Sequence, residues 1–139
     1  MPKIKKINKP KFITTVGRRR EATARIRLYP GKGESVVNEQ PLSQYFSGET
    51  AKVSYTMPFT ETGTLGKYFV IAKVRGGGKS GQLGAFVHGV SRALSEADRE
   101  KFRPILKKKG FLTRDSRIRE RRKVGTGGKA RRKKQSPKR

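Results

Sequence analysis

The sequence contains no cysteine, no tryptophan and a single histidine, His88. Without cysteine there is no disulfide framework and no thiolate-ligated zinc, and the composition is compatible with a reducing cytosol. Only ten of the 139 residues are Asp or Glu, and they form no paired-carboxylate or metal-ligand pattern. His88 lies beside the apolar stripe of a predicted helix, with no acid within one turn, which is more typical of a structural residue than of a general base. We therefore expect no enzyme, no metal and no cofactor.

Long apolar runs are missing as well. Residues 1–11 are basic and contain two prolines, and no run of signal-peptide or transmembrane length follows them. The basic segments also lack the Trp/Phe/Leu face of an interfacial helix, which argues against an anionic membrane as the partner. These absences favour a soluble, intracellular protein.

Positive charge is what the chain has in excess, with 36 Lys or Arg and a net charge of +26. Residues 107–139 hold sixteen of these cations against two acids, a net +14, and too few apolar residues to build a core. Such a segment becomes ordered only where dense negative charge meets it. We predict a basic disordered arm at 1–11, a globular domain at 12–106 and an extended basic tail at 107–139. Nucleic acid is the expected partner.

The body shows a mixture of strand and helix patterns. From Ala22 to Tyr29 apolar residues alternate with Thr, Arg and Tyr, which predicts a half-buried strand with Arg25 and Arg27 outward. The residues around Gly17 predict a turn or bulge, and the turn residues at 30–33 predict a hairpin. We expect strands at 12–17, 22–29, 34–38 and 68–74, the last being the most buried, and helices at 42–46, 49–57, 82–94 and 95–102. Pro58 is expected to stop the second helix, and Pro104 to break or restart the last one.

The third helix is the clearest, because Leu83, Val87, Val90 and Leu94 recur at helical spacing. Small residues alternate with this stripe and would let the helix approach a sheet closely: they are Gly84, Ala85, Gly89 and Ala93. Together the patterns predict an α/β (α+β) fold.

A glycine-rich stretch precedes this helix. Gly76, Gly78 and Gly81 satisfy G-x-G-x-x-G between a predicted strand and a helix, as a dinucleotide site requires, but no second parallel strand follows. The phosphate-loop motif G-x-x-x-x-G-K-[ST] does not match, because Lys73 occupies the position of its first glycine. Backbone N–H groups at the helix start, beside Arg75 and Lys79, would instead bind a phosphate of a polymer as well as one of a nucleotide.

The basic clusters are the main functional signal, although a charge run is often only a solvated face. Arg18–Arg20, the outward Arg25 and Arg27, the turn at 75–79 and the tail together favour phosphate contact, since the guanidinium fork suits phosphate. Tyr29, Tyr45, Phe46 and Phe111 could stack on bases or serve the core. A histone-like DNA-compacting protein and a nucleotide-dependent enzyme are the alternative classes.

Three separated motifs resemble the ribosomal protein S-nine family, small ribosomal subunit protein nine. They are GGGxxGQxxAxxxGxSRAL at 76–94, GRRREATARI at 17–26 and LTRDxRxxERRKxG at 112–125. Asn38, Pro41, Tyr45 and Phe46 also stand where that family has them. The resemblance covers residues 12–139 in one order.

This resemblance implies a ribosomal S5 domain-two-like fold with a left-handed βαβ crossover. It implies a protein of the small-subunit head that binds small-subunit rRNA and neighbouring head proteins, in a cytoplasmic or an organellar ribosome, without a homo-oligomer. The tail would reach the anticodon stem-loop of the peptidyl-site tRNA, with Lys138 and Arg139 as the tRNA contacts. The rRNA contacts would be Arg18, Arg19, Arg20, Arg25, Arg27, Arg75, Gly76, Gly77, Gly78, Lys79, Arg114, Arg117, Arg121, Arg122, Lys123, Arg131 and Arg132.

The chain departs from the family pattern near its end. Ser136 occupies a position where the family has an aromatic residue, so the stacking of that ring is lost. Ser116 replaces a usual proline and Val124 a usual aromatic, whereas the terminal Lys138 and Arg139 match.

Overall fold

The computed structural model describes residues 12–118, which form one sheet and a layer of helices. The elements in chain order are β1 (Ile13–Arg19), β2 (Ala22–Pro30), β3 (Val36–Val37), β4 (Gln40–Pro41), α1 (Leu42–Tyr45), α2 (Glu49–Thr62), β5 (Tyr68–Arg75), α3 (Lys79–Ala97) and α4 (Arg99–Lys108). The five strands are ordered β1-β2-β5-β3-β4. The predicted mixture of α and β structure is therefore confirmed. None of these helices, within residues 12–118, is long and apolar enough to cross a bilayer.

One face of the sheet carries the core. In β2 the side chains of Ala22, Ala24, Ile26 and Leu28 are buried, and the alternate residues point to the other face, as the alternation predicted. Helix α3 lies against β1 and β2 and packs on α2 and α4. Its most deeply buried large side chain is Phe86, which lies outside the predicted stripe. The helices thus cover one face of the sheet and leave the other open.

Two glycines let α3 approach β1 at backbone distance. A Cβ on Gly17 would lie 2.4 Å from the nitrogen of Gly89, and a Cβ on Gly89 would lie 2.5 Å from Cγ1 of Ile26. The turn or bulge predicted around Gly17 is therefore misplaced, because Gly17 is inside β1 and the chain turns at Arg20 and Glu21. Arg20 has a φ of 53° there, a conformation that a non-glycine residue seldom adopts.

The hairpin predicted between 22–29 and 34–38 is wrong. Strand β5 pairs antiparallel with β2 from Thr23↔Arg75 to Pro30↔Tyr68, so β2 has no place for the returning chain. The two-residue β3 instead pairs parallel with β5 and antiparallel with β4. Helices α1 and α2 connect β3 to β5, which makes a βαβ unit. The turn residues at 30–33 could not show that β5, more than thirty residues later in the chain, takes the position next to β2.

Strand β5 is central in the sheet but is not the most buried strand, contrary to the prediction. Val70, Ala72 and Val74 are buried, whereas the alternating residues Ile71 and Lys73 are exposed. The sequence of this strand is apolar without a break up to Ala72, because the open-face position 71 also holds an apolar residue. That residue, Ile71, is 40% exposed.

Neither internal proline ends its helix. Pro58 is buried inside α2, which continues to Thr62 and ends at Gly63 in the left-handed conformation. Helix α2 tolerates the missing N–H because its last turns bury Tyr55 and Phe59 in the core. Pro104 lies on the exposed side of α4, which likewise continues to Lys108.

The last helix starts and ends later than its predicted range of 95–102. Helix α3 continues through Ala97, and Asp98 caps α4 by accepting a hydrogen bond from the backbone N–H of Lys101 at 3.2 Å. Beyond α4, Phe111 and Leu112 pack against the core. The predicted boundary between the domain and the tail at residue 106 stays a prediction. The packing of Phe111 and Leu112 favours a boundary after Leu112.

Candidate nucleic-acid interface

The open face of the sheet is basic. Its strand positions carry five cations and no acid: Arg18 of β1, Arg25 and Arg27 of β2, and Lys73 and Arg75 of β5. All five side chains are exposed. Arg25 lies directly opposite Lys73 in the register, and two like charges at such positions repel each other. An anionic partner would relieve this repulsion. Lys73 was missed from the sequence, because β5 was predicted to be the most buried strand.

Aromatic rings lie on the same face beside the cations. The rings of Tyr29 and Phe69 are stacked, with centroids 5.1 Å apart and planes 9° apart. Phe12 lies 5.2 Å from Tyr29, and the guanidinium of Arg27 lies 5.5 Å from the Phe12 ring. Phe12 is exposed, and Tyr29 and Phe69 are partly exposed. Accessible rings next to arginines are the combination that binds unpaired bases.

Of the four aromatic residues named from the sequence, Tyr29 is on this face. Phe46 is buried in the core, and Phe111 packs against it. Tyr45 donates a hydrogen bond to Oε1 of Gln82 at 2.6 Å. These three rings therefore serve the fold.

The glycine-rich turn is exposed and leads from the open face to the start of α3. Gly76 and Gly77 have φ values of 80° and 61°, which favour glycine, and Gly78 is the N-cap of α3. Nε2 of Gln82 donates to the carbonyl of Gly76 at 3.0 Å and so holds the turn. Arg75 and the turn are thus placed together, and the phosphate contact expected of them stays a prediction. No side chain of residues 12–118 caps α3, which leaves its first N–H groups open to a ligand.

Lys79 makes contacts within the protein that the sequence did not indicate. Its amine donates to the carbonyl of Tyr45 at 3.2 Å and lies 3.3 Å from the centroid of that ring. Lys79 therefore joins α1 to the start of α3 as well as adding charge beside the turn.

The three consecutive arginines 18–20 do not act as one cluster. Arg18 points to the open face, Arg19 lies on the helical side, and Arg20 occupies the turn. The guanidinium of Arg19 contacts the carboxylate of Asp115 at 3.3 Å. Strand alternation separates the three side chains.

Asp115 ties the segment after α4 to the domain. Its carboxylate accepts two hydrogen bonds from the guanidinium of Arg117, at 2.9 and 2.7 Å, and one from the Arg117 backbone N–H at 3.1 Å. These bonds, with a smaller effect of the charge of Arg19, hold the pKa of Asp115 well below its usual range. The carboxylate stays ionised even in mildly acidic solution. Arg114 is exposed beside it, and the remaining predicted contacts lie outside the described residues: Arg121, Arg122, Lys123, Arg131, Arg132, Lys138 and Arg139.

The family comparison agrees with the charge and the motifs. A family model described as "Ribosomal protein S9/S16" matches residues 17–139. The chain belongs to this family. It is also 49% identical over 138 residues to the protein named "Small ribosomal subunit protein uS9" of Rickettsia bellii (strain OSU 85-389). The matched residues make up 99% of this chain and 82% of that protein. As a member of the S9 family the chain is a structural ribosomal protein and not an enzyme.

Proposed function

We propose that the chain is a structural constituent of the small ribosomal subunit and binds its rRNA through the open face of the sheet. The name of its Rickettsia relative supports the assignment to that subunit. The observation that carries the binding mode is the face itself, on which five exposed cations and three aromatic rings lie with no acid among the strand positions.

The two kinds of side chain have separate tasks in this proposal. The cations contact backbone phosphates, which supplies affinity and releases counterions from the RNA. Tyr29 and Phe69 offer flat apolar surface to bases that are not paired. The glycine turn extends the surface, because the open N–H groups of α3 suit another phosphate.

The finer assignments follow from the family resemblance. The domain would adopt the S5 domain-two-like fold with a left-handed crossover between β3 and β5, and would dock in the subunit head beside other head proteins. Residues 125–139 would reach the peptidyl-site tRNA, where Lys138 and Arg139 contact the anticodon stem-loop. Fifteen extended residues span roughly 50 Å at about 3.3–3.6 Å each. A tail of this length would reach from a domain on the subunit head to the tRNA. Residues 130–132 would line the approach through rRNA, in a cytoplasmic ribosome.

The test of the rRNA surface is the double charge reversal Arg25→Glu with Lys73→Glu. Both side chains are exposed, so we expect a folded protein whose affinity for a small-subunit rRNA fragment falls about tenfold or more through lost phosphate contacts. The matched control is Lys52→Glu with Lys101→Glu, which changes the net charge equally but lies on exposed positions of α2 and α4.

Filter binding with duplex DNA as the competitor completes this test. We expect the RNA fragment to be preferred over DNA, and the control pair to lose much less affinity than the open-face pair. Equal losses for the two pairs would mean that net charge alone drives binding. Equal affinity for DNA and rRNA would favour a DNA-compacting protein.

A further inference from the structure

A cleft of about 290 Å³ lies at the edge of the sheet, apart from the centre of the open face. It is lined by Val16 and Arg18 of β1, His88 and Arg92 of α3, and Arg114 from the segment after α4. Strand β1 is the outermost strand on this side, so the cleft opens beside a strand edge. Three parts of the chain bring three guanidinium groups and the single imidazole of the protein to one opening. Within the described part of the chain, none of the lining side chains is acidic.

One guanidinium group of the cleft is held in place by another contact, and the backbone that carries a second is fixed by its neighbours. Nη1 of Arg92 donates to the carbonyl of Val16 at 2.6 Å, which fixes this side chain along the strand edge and leaves its other N–H groups for a ligand. Arg114 lies between Leu112, which packs against the core, and Asp115, which is bonded to Arg19 and Arg117. Groups that are already positioned lose less conformational entropy when they bind.

His88 is partly buried in the cleft beside two of its arginines. Its Nε2 lies 3.4 Å from the carbonyl of Leu112, and its Nδ1 is buried without a hydrogen-bond partner among residues 12–118. Burial lowers the pKa of His88, and the charges of Arg92 and Arg114 lower it further, against the opposing effect of the Leu112 carbonyl. Arg18 is the remaining charged group that lines the cleft among the residues that the structure describes.

We propose that this cleft binds one phosphate group of the rRNA backbone, with Arg18, Arg92 and Arg114 as its charged ligands. The proposal rests on the proposed function and adds a second site to it. Like charges gathered in one opening repel one another, and a bound phosphate removes that repulsion. The oxygens of a phosphate accept hydrogen bonds from several guanidinium forks at once. A backbone phosphate also reaches a strand edge more easily than a base does, because it lies on the outside of an RNA helix.

His88 makes the cleft directly observable, because the chain has no other histidine. The full-length protein is titrated with an eight-nucleotide oligouridine RNA while the imidazole resonances are followed by NMR. We expect a saturable shift and a rise in the pKa of His88, since a bound negative charge stabilises the imidazolium. We expect Arg114→Gln to weaken the apparent affinity measured at His88 by about tenfold, through loss of a charge-assisted contact.

The matched control is Arg103→Gln, which removes the same charge from an exposed position of α4. We expect this variant to respond as the unchanged protein does. Both arginine side chains are exposed and make no hydrogen bond within residues 12–118, so both variants should fold. Equal weakening in the two variants would overturn the proposal, because the response would then reflect net charge.

Three further outcomes would also overturn it. If the His88 resonances stay still while filter binding shows that RNA is bound, the cleft is not the site although the proposed function stands. If no RNA is bound at all, the proposed function fails with it. If inorganic phosphate or a hexaglutamate peptide saturates the His88 response at lower concentration than the RNA, the cleft is a small-anion site or a protein contact.

Discussion

At the scale of single residues, the close contact between α3 and β1 depends on the absence of side chains. Gly17 of β1 faces Ala85 and Gly89 of α3 at backbone distance. Thr15 reinforces this crossing by donating its hydroxyl hydrogen to the carbonyl of Gly89 at 2.7 Å. The approach holds α3 on the sheet, and α3 in turn places His88 and Arg92 beside β1.

We predict that Gly89→Ala destabilises the protein by about 1–3 kcal/mol, the usual effect of overpacking a filled core. The new Cβ would meet Cγ1 of Ile26 at 2.5 Å and the backbone of Gly17 at 3.1 Å. Urea unfolding followed by circular dichroism measures the effect.

The control lies in the same helix. A Cβ on Gly81 would have only ordinary contacts, the nearest at 3.8 Å. Gly81→Ala should therefore stabilise α3 by up to about 1 kcal/mol, since alanine loses less backbone entropy than glycine. If both variants are stabilised, the backbone contact at Gly89 is looser than described.

At the scale of elements, one side chain continues the sheet where β3 stops. The side chain of Asn38 accepts a hydrogen bond from the Val74 N–H and donates one to the Val74 carbonyl, both at 2.8 Å. It also donates to the hydroxyl of Tyr45 at 3.2 Å, which bonds to Gln82. Asn38 thus joins β5, α1 and α3 around the glycine turn. The sequence resemblance marked Asn38 and Tyr45 without showing this connection.

We predict that Asn38→Ala costs about 2–4 kcal/mol, because it leaves both backbone groups of Val74 without this partner and puts alanine at a φ of 49°. Hydrogen exchange of the Val74 amide should accelerate. Tyr45→Phe removes only the hydroxyl and should cost about 1 kcal/mol. Unchanged exchange at Val74 in the alanine variant would contradict the bridging role.

At the scale of the whole molecule, positive charge is distributed over two parts. The body up to residue 106 carries a net +12 and residues 107–139 a net +14. The body needs a folded sheet to arrange its cations, whereas the tail has too few apolar residues for a core of its own. We infer that the body anchors the protein on rRNA and the tail extends the contact.

We predict that deletion of Lys138 and Arg139 leaves incorporation into small subunits nearly normal and weakens binding of tRNA at the peptidyl site. Two charges out of 36 contribute little to total rRNA affinity, but they would be the ones that reach the tRNA. Sedimentation measures incorporation, and nitrocellulose retention of labelled tRNA measures binding.

The control removes two charges from the other end, by Lys5→Gln with Lys6→Gln. This variant should retain tRNA binding. If both variants bind tRNA as well as the unchanged protein, the assignment of the chain end is wrong. If both lose incorporation equally, the end acts only through its charge.

The sequence by itself determined the elements whose signals are local. The alternation in β2, the stripe of α3 and the excess of positive charge come from neighbouring residues, and a motif can be recognised from its spacing alone. These were enough to predict α and β structure, a nucleic-acid partner and the resemblance to the S9 family.

Only the tertiary structure decided which residues meet. Strand β5 lies between β2 and β3, so these two strands do not form the predicted hairpin, and Lys73 is exposed on the open face. The packing of α3 on β1 brought His88 and Arg92 to Arg18, and the bonds of Asp115 brought Arg114 beside them. The physical reason is that long-range pairing and packing outweigh local propensity, and their partners are far apart in the chain.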